Sequence, residues 1–168
     1  ILKNTHVTLH TSEVINYIAE LLEQHNFQCH KIDFDGDGSY KVNNLHAIYN
    51  PGNHPKTLYF AGHTDVVHEG DDTKWSSNPF TPTEKDGKLI GRGAADMKCA
   101  LGCSISATIE FVKKNPNPEF GIGFIITNDE ESEGINGTKK LLQWMEQNNY
   151  NISACIVGEP TNPEKLGE

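Results

Sequence analysis

The sequence predicts an α/β domain built on a mixed, largely parallel sheet with helices on both faces. Short apolar runs at residues 57–62, 120–127 and 152–157 read as buried strands. Helical stretches separate them, one following residues 91–98 and running to about Lys114, the other at residues 137–148. Two strand–helix–strand alternations of this kind imply parallel pairs joined by crossover helices.

In chain order, residues 11–26 form an amphipathic helix, with Ser12 as N-cap and Val14, Ile15, Ile18, Leu21 and Leu22 at the helical period. Strands follow at residues 27–34 and 45–49, then a turn cluster at 50–55 precedes the strand at 57–62. Asp33, Asp35, Asp37 and Gly38 imitate the opening of a calcium loop. Its twelfth position would be Asn44 rather than a bidentate Glu, and no helices flank it, so a solvated acidic turn is predicted instead. Residues 69–88 form a long polar loop with Trp75 and Phe80 to pin it. The next helix should bury Ala100, Leu101, Ser104, Ile105, Thr108 and Phe111, with Pro116 beyond its end. Leu141, Leu142 and Met145 give the last helix its apolar side.

The 168 residues suffice for one domain with a proper core. A net charge of −9 without a basic cluster argues against nucleic acid and anionic membrane as partners. No apolar run approaches the roughly 20 residues that span a bilayer. The start, Ile1-Leu2-Lys3-Asn4, has neither an initiator Met nor a signal-peptide pattern and reads as a chain entered a few residues late. Cys29, Cys99, Cys103 and Cys155 are scattered and read as free core thiols of a reducing, cytoplasmic compartment.

Chemistry collects just beyond the strands. Leu58-Tyr-Phe-Ala-Gly-His-Thr-Asp-Val-Val67 places His63 and Asp65 at i and i+2, on one face of an extended segment. A metal-binding histidine needs its second ring nitrogen held, and a carboxylate is a common holder; Asp65 could equally be a ligand or a solvated residue. Glu130 and Glu131 follow the second run, Glu159 follows the third, and Asp96 opens a helix after a glycine-rich turn. Carboxyl ends of parallel strands are where α/β sheets bind ligands. Four acids and a histidine there would repel one another unless cations neutralised them, and such a set suits zinc, manganese or cobalt. Singly, each has a bland reading: a surface acidic run, a helix-dipole acid, a turn residue.

The order His63-Thr64-Asp65, Gly91-Arg-Gly-Ala-Ala-Asp96-Met-Lys98, Asp129-Glu130-Glu131 and Gly158-Glu159-Pro160 resembles the M20 family of dinuclear zinc peptidases and deacylases. Within it, Trp75, Pro79-Phe80 and Ile135-Asn-Gly-Thr-Lys139 look most like the branch that hydrolyses an N-succinyl amino acid, N-succinyl-LL-2,6-diaminopimelate. They look less like acetylornithine deacetylases or aminoacylases. The resemblance implies two zinc ions per complete subunit, with Co2+ or Mn2+ as substitutes. His63 and Glu159 would hold the first, Asp96 would bridge, and Glu131 would hold the second. Asp65 would orient His63, Glu130 would be the general base, and the Asp96–Met97 peptide would be cis.

By the same resemblance, residues 1–168 are the N-terminal portion of a truncated catalytic domain. One histidine of the second zinc, the lid domain through which the complete enzyme forms a homodimer, and most substrate-carboxylate contacts would lie elsewhere. The chain alone is therefore expected to be inactive. His68 stands where the family usually has proline, as a rim residue or a replacement ligand, and Cys99 stands where it usually has glycine.

Overall fold

The structure is a computed structural model and describes residues 12–162 and 164–165. Residues 1–4, Thr11 as predicted helix start, and Glu168 lie outside them. Elements run α1 (Glu13–Glu23), β1 (Gln28–Gly36), β2 (Ser39–Tyr49), β3 (Thr57–His63), β4 (Thr83–Lys85), β5 (Lys88–Ile90), α2 (Cys99–Lys114), β6 (Gly121–Thr127), α3 (Thr138–Gln147) and β7 (Ala154–Val157).

Five strands form one sheet in the order β1-β2-β6-β3-β7. β1, β2 and β6 pair antiparallel, whereas β3 runs parallel to both β6 and β7. β6, Gly-Ile-Gly-Phe-Ile-Ile-Thr, is buried along its whole length, which explains its unbroken apolar run. Helices α1 and α2 cover one face, packing Ile15, Ile18, Leu22, Leu101 and Ile105 onto Leu45, Phe124 and Ile126. Helix α3 covers the other, setting Leu141 and Met145 against Tyr59 and Ile125.

Several local expectations change. Ser12 lies in helical geometry and makes no cap; its Oγ instead accepts from Asn16 Nδ2 at 3.2 Å. β2 begins six residues earlier than the apolar run, because Asp37 and Gly38 both adopt positive φ and close a tight hairpin with β1. Asp33 pairs with Lys41 and Asp37 with Lys140, which accounts for two of the three acids without calcium. The loop at 69–88 contains the start of a small β4–β5 hairpin, turned at Asp86-Gly87. On α2, Ile109 and Val112 are buried while Phe111 is exposed, and on α3 Leu142 is exposed. All four cysteines are free, yet none is a core thiol: Cys103 and Cys155 are exposed, Cys29 and Cys99 half-buried. Among the described residues, no helix is long and apolar enough to cross a membrane.

Candidate metal centre

Strand register brings the predicted residues together. In the parallel pairs His63 lies opposite Thr127, and Ala61 opposite Val157. Asp65, Asp129 and Glu159 each follow two residues past these strand ends, and Glu159 Oε1 comes within 3.2 Å of His63 Nε2. The carboxyl ends of β3, β6 and β7 thus open onto one edge. Asp96 arrives from the turn that precedes α2. Gly93 takes φ 79°, and a Cβ there would meet Val66 Cγ1 at 2.5 Å, so only glycine fits. The following turn leaves helical angles at Asp96 and Met97, whose peptide is cis as the resemblance implied. Met97 packs where a Cβ on Gly62 would stand, and His63 N–H points to its Sδ at 3.4 Å.

His63 is fully buried at the centre. Its Nε2 lies 3.1 Å from Asp96 Oδ1, 3.2 Å from Glu159 Oε1 and 3.7 Å from Glu130 Oε2. Two sets of possible ligands result, His63–Asp96–Glu131 and His63–Glu130–Glu159, each with donor atoms within 4.8 Å of one another. His63 Nδ1 is 3.1 Å from the Asp65 carbonyl oxygen and 3.4 Å from its carboxylate Oδ1. His63 Nδ1 thus faces both the main-chain carbonyl and the carboxylate of Asp65. The Asp65 carboxylate also accepts the N–H groups of Glu130 at 3.0 Å and Glu131 at 2.9 Å.

Electrostatics follow from this crowding. Burial alone would lower the His63 pKa, but the Asp65 hydrogen bond and the charges of Asp65, Glu159 and Glu130 lift it to about 9. Burial, then the Asp96 charge, holds Glu131 above the usual carboxylate range. Glu159 is raised by burial as well, with His63 opposing and Asp96 and Glu130 adding. Lys98, buried beneath, is pulled down to about 8 by desolvation, against the pull of Asp65. A self-repelling ring of carboxylates around one buried imidazole fits a divalent cation.

His63, Asp65, Asp96, Glu130, Glu131 and Glu159 therefore lie in one cluster. His68 does not join it: it is exposed and pairs with Glu69 at 2.9 Å, as a rim residue would. The sequence reading missed the polar frame behind the cluster. Thr64 Oγ1 donates to Asn128 at 2.9 Å. Tyr40 O–H donates to Asp129 Oδ1 at 2.5 Å. Asn136, fully buried, donates to the Gly36 and Tyr40 carbonyls. Asn136 lies within Ile135-Asn-Gly-Thr, and nothing in that stretch of sequence points to its burial or its partners.

Comparison with known proteins agrees with this geometry. The chain is 45% identical to a succinyl-diaminopimelate desuccinylase of Coxiella burnetii (strain RSA 493 / Nine Mile phase I) over 151 residues, 90% of this chain and 38% of that protein. It is 42% identical to a protein of the same name from Rhodospirillum centenum over 162 residues, 96% of this chain and 42% of that one. The chain thus spans about two fifths of the length of these relatives. Its fold matches human carnosine dipeptidase 1 with a TM-score of 0.78 at 20% identity, covering 98% of this chain and 37% of that one. It also matches an M20 family metallo-carboxypeptidase from Sulfolobus solfataricus with a TM-score of 0.69 at 23% identity, covering 88% and 32%. The model of peptidase family M20/M25/M40 matches residues 59–167, well over half the chain, and the chain belongs to that family.

Proposed function

We propose that this chain is the metal-binding part of an amide hydrolase that splits N-succinyl-LL-2,6-diaminopimelate into succinate and LL-2,6-diaminopimelate. The observation that carries the hydrolase reading is the convergence of Asp96, Glu130, Glu131 and Glu159 on the buried His63 imidazole. The substrate rests on the likeness to the desuccinylases of Coxiella and Rhodospirillum. His63 and Glu159 would hold one zinc, Glu131 another, and Asp96 would contact both. Bound zinc supplies Lewis acidity toward an amide carbonyl and lowers the pKa of water toward neutrality.

The protein's own groups do the remainder. Asp65 fixes the His63 ring and anchors the Glu130–Glu131 segment by its amides. Glu130 reaches the mouth of the cluster with its side chain half-exposed. There it takes the proton of the attacking water and passes it to the leaving amine. The remaining length would supply the last histidine, the substrate-carboxylate contacts and the dimerising lid. Four free cysteines suit a cytoplasmic setting.

The test is hydrolysis by the full-length protein. Succinyl-diaminopimelate should turn over faster than N-acetylornithine, and Glu130→Ala should abolish turnover while zinc is retained. Faster acetyl hydrolysis would move the reading to a deacetylase of the same family. Activity that survives Glu130→Ala would remove that residue from the mechanism. On this chain alone, one tight zinc lost on His63→Ala or Glu159→Ala is expected, with no turnover.

A further inference from the structure

We propose that Tyr40, on the β1–β2 hairpin and far from β6 in sequence, is a positioning residue for the Glu130–Glu131 pair and acts through Asp129. This rests on the reading of Glu130 and Glu131 given above. The segment leaving β6 is gripped from two sides. On the inner side, Asp65 takes the Glu130 and Glu131 amides. On the outer side, Tyr40 O–H donates to Asp129 Oδ1 at 2.5 Å, across 89 positions of sequence.

Asp129 is no surface acid. It is 1% exposed, and its second carboxylate oxygen finds no hydrogen-bond donor among the described residues. A buried, half-satisfied carboxylate is costly, and it stands directly before the two glutamates. The Tyr40 hydroxyl is the donor that compensates it. The far end of the segment is closed as tightly. A Cβ on Gly137 would meet the Asp129 carbonyl oxygen at 2.6 Å, so the chain returns against its own start. Asn136 donates to the Gly36 and Tyr40 carbonyls and receives Asn44 Nδ2 on its own carbonyl at 3.0 Å. The hairpin thus holds residues 129 and 136, and the Tyr40 hydroxyl also lies within reach of Ser132 and of the Glu133 main chain between them.

Side chains that hold metal ligands or catalytic groups from behind typically matter by about 10- to 100-fold. In the full-length protein at saturating zinc, Tyr40→Phe should lower kcat about tenfold with KM within about twofold. Its melting temperature should fall, because Asp129 loses a buried donor, while the protein stays folded at the assay temperature. Asp129→Ala should lower it as much or more. The double variant should be no slower than the slower single one, because both changes break one link. Lys41→Met, which breaks an exposed ion pair with Asp33 on the same hairpin, should leave kcat unchanged.

Unchanged kcat in Tyr40→Phe, or losses that multiply in the double variant, would overturn the proposal. So would a loss explained by unfolded protein, or one that saturating zinc fully restores. If the unmodified protein does not hydrolyse the succinyl substrate at all, it is the proposed function that fails. The Tyr40–Asp129 link is then read from Tyr40→Phe zinc affinity, which should weaken about tenfold; no change would sink it independently.

Discussion

Asp65 Oδ2 accepts the main-chain N–H of Glu131 at 2.9 Å, so a residue at the end of β3 sets the position of a carboxylate that follows β6. The same carboxylate takes the Glu130 amide, and the Asp65 carbonyl holds the His63 ring. One residue, through its carboxylate and its main-chain carbonyl, therefore couples three members of the centre.

Replacing Asp65 with Ala should weaken zinc binding and lower kcat of the full-length protein together, each by about 10- to 100-fold. Asp65→Asn, which keeps one acceptor oxygen, should fall between the two. Chelator-competition titration and steady-state kinetics measure these effects, and equal behaviour of the two variants would contradict the amide-anchoring role.

A second expectation concerns acid stability. His46 is buried under α3, with Nε2 3.0 Å from Tyr59 Oη and Nδ1 without a partner, among His30, Trp144 and Tyr150. Burial, helped by the nearby His30, pushes its pKa down to about 3. Below the ordinary histidine value of about 6.5, the unfolded chain binds a proton that the folded chain refuses. Stability is thus lost as pH falls through 6.5, at up to about 1.4 kcal/mol per pH unit. Urea unfolding should show the advantage of the natural protein over His46→Gln shrinking from pH 7 to pH 5. A constant difference would mean that His46 titrates normally.

Gly123 offers a packing test. A Cβ there would stand 2.3 Å from the Tyr59 ring and 2.8 Å from the Ala47 carbonyl oxygen, and Tyr59 is fully buried. Gly123→Ala should destabilise the fold by about 1–3 kcal/mol, read from the denaturation midpoint. An unshifted midpoint would show that Tyr59 can give way.

Much of this arrangement was legible in the sequence, for reasons that separate cleanly. His63 and Asp65 stood out because a strand repeats every two residues, and Glu130, Glu131 and Glu159 because each follows an apolar run. Relative register was invisible there, although the pairing of Ala61 with Val157 is what brings the segment carrying Glu159 up to His63. The β4–β5 hairpin carried an Asp86-Gly87 signal, but strands of three residues are too short to show alternation. Phe111 was assigned to the buried stripe because it is large and apolar; the stripe in fact runs through Ile105, Thr108, Ile109 and Val112. Tyr40 and Asn136 act by hydrogen bonds across about ninety residues, and such contacts leave no local pattern.

The parallel pairing of β3 with β6 and β7 has a kinetic meaning as well. Leu58 meets Ile122 and Ala154, pairings distant in sequence, so the strands that deliver His63 and Glu159 should join late in folding. Unlike a finger whose ligands sit in one short stretch, this centre cannot seed folding by capturing its ion early. Added zinc should slow unfolding and leave the refolding rate unchanged, as expected of an ion that locks a finished fold.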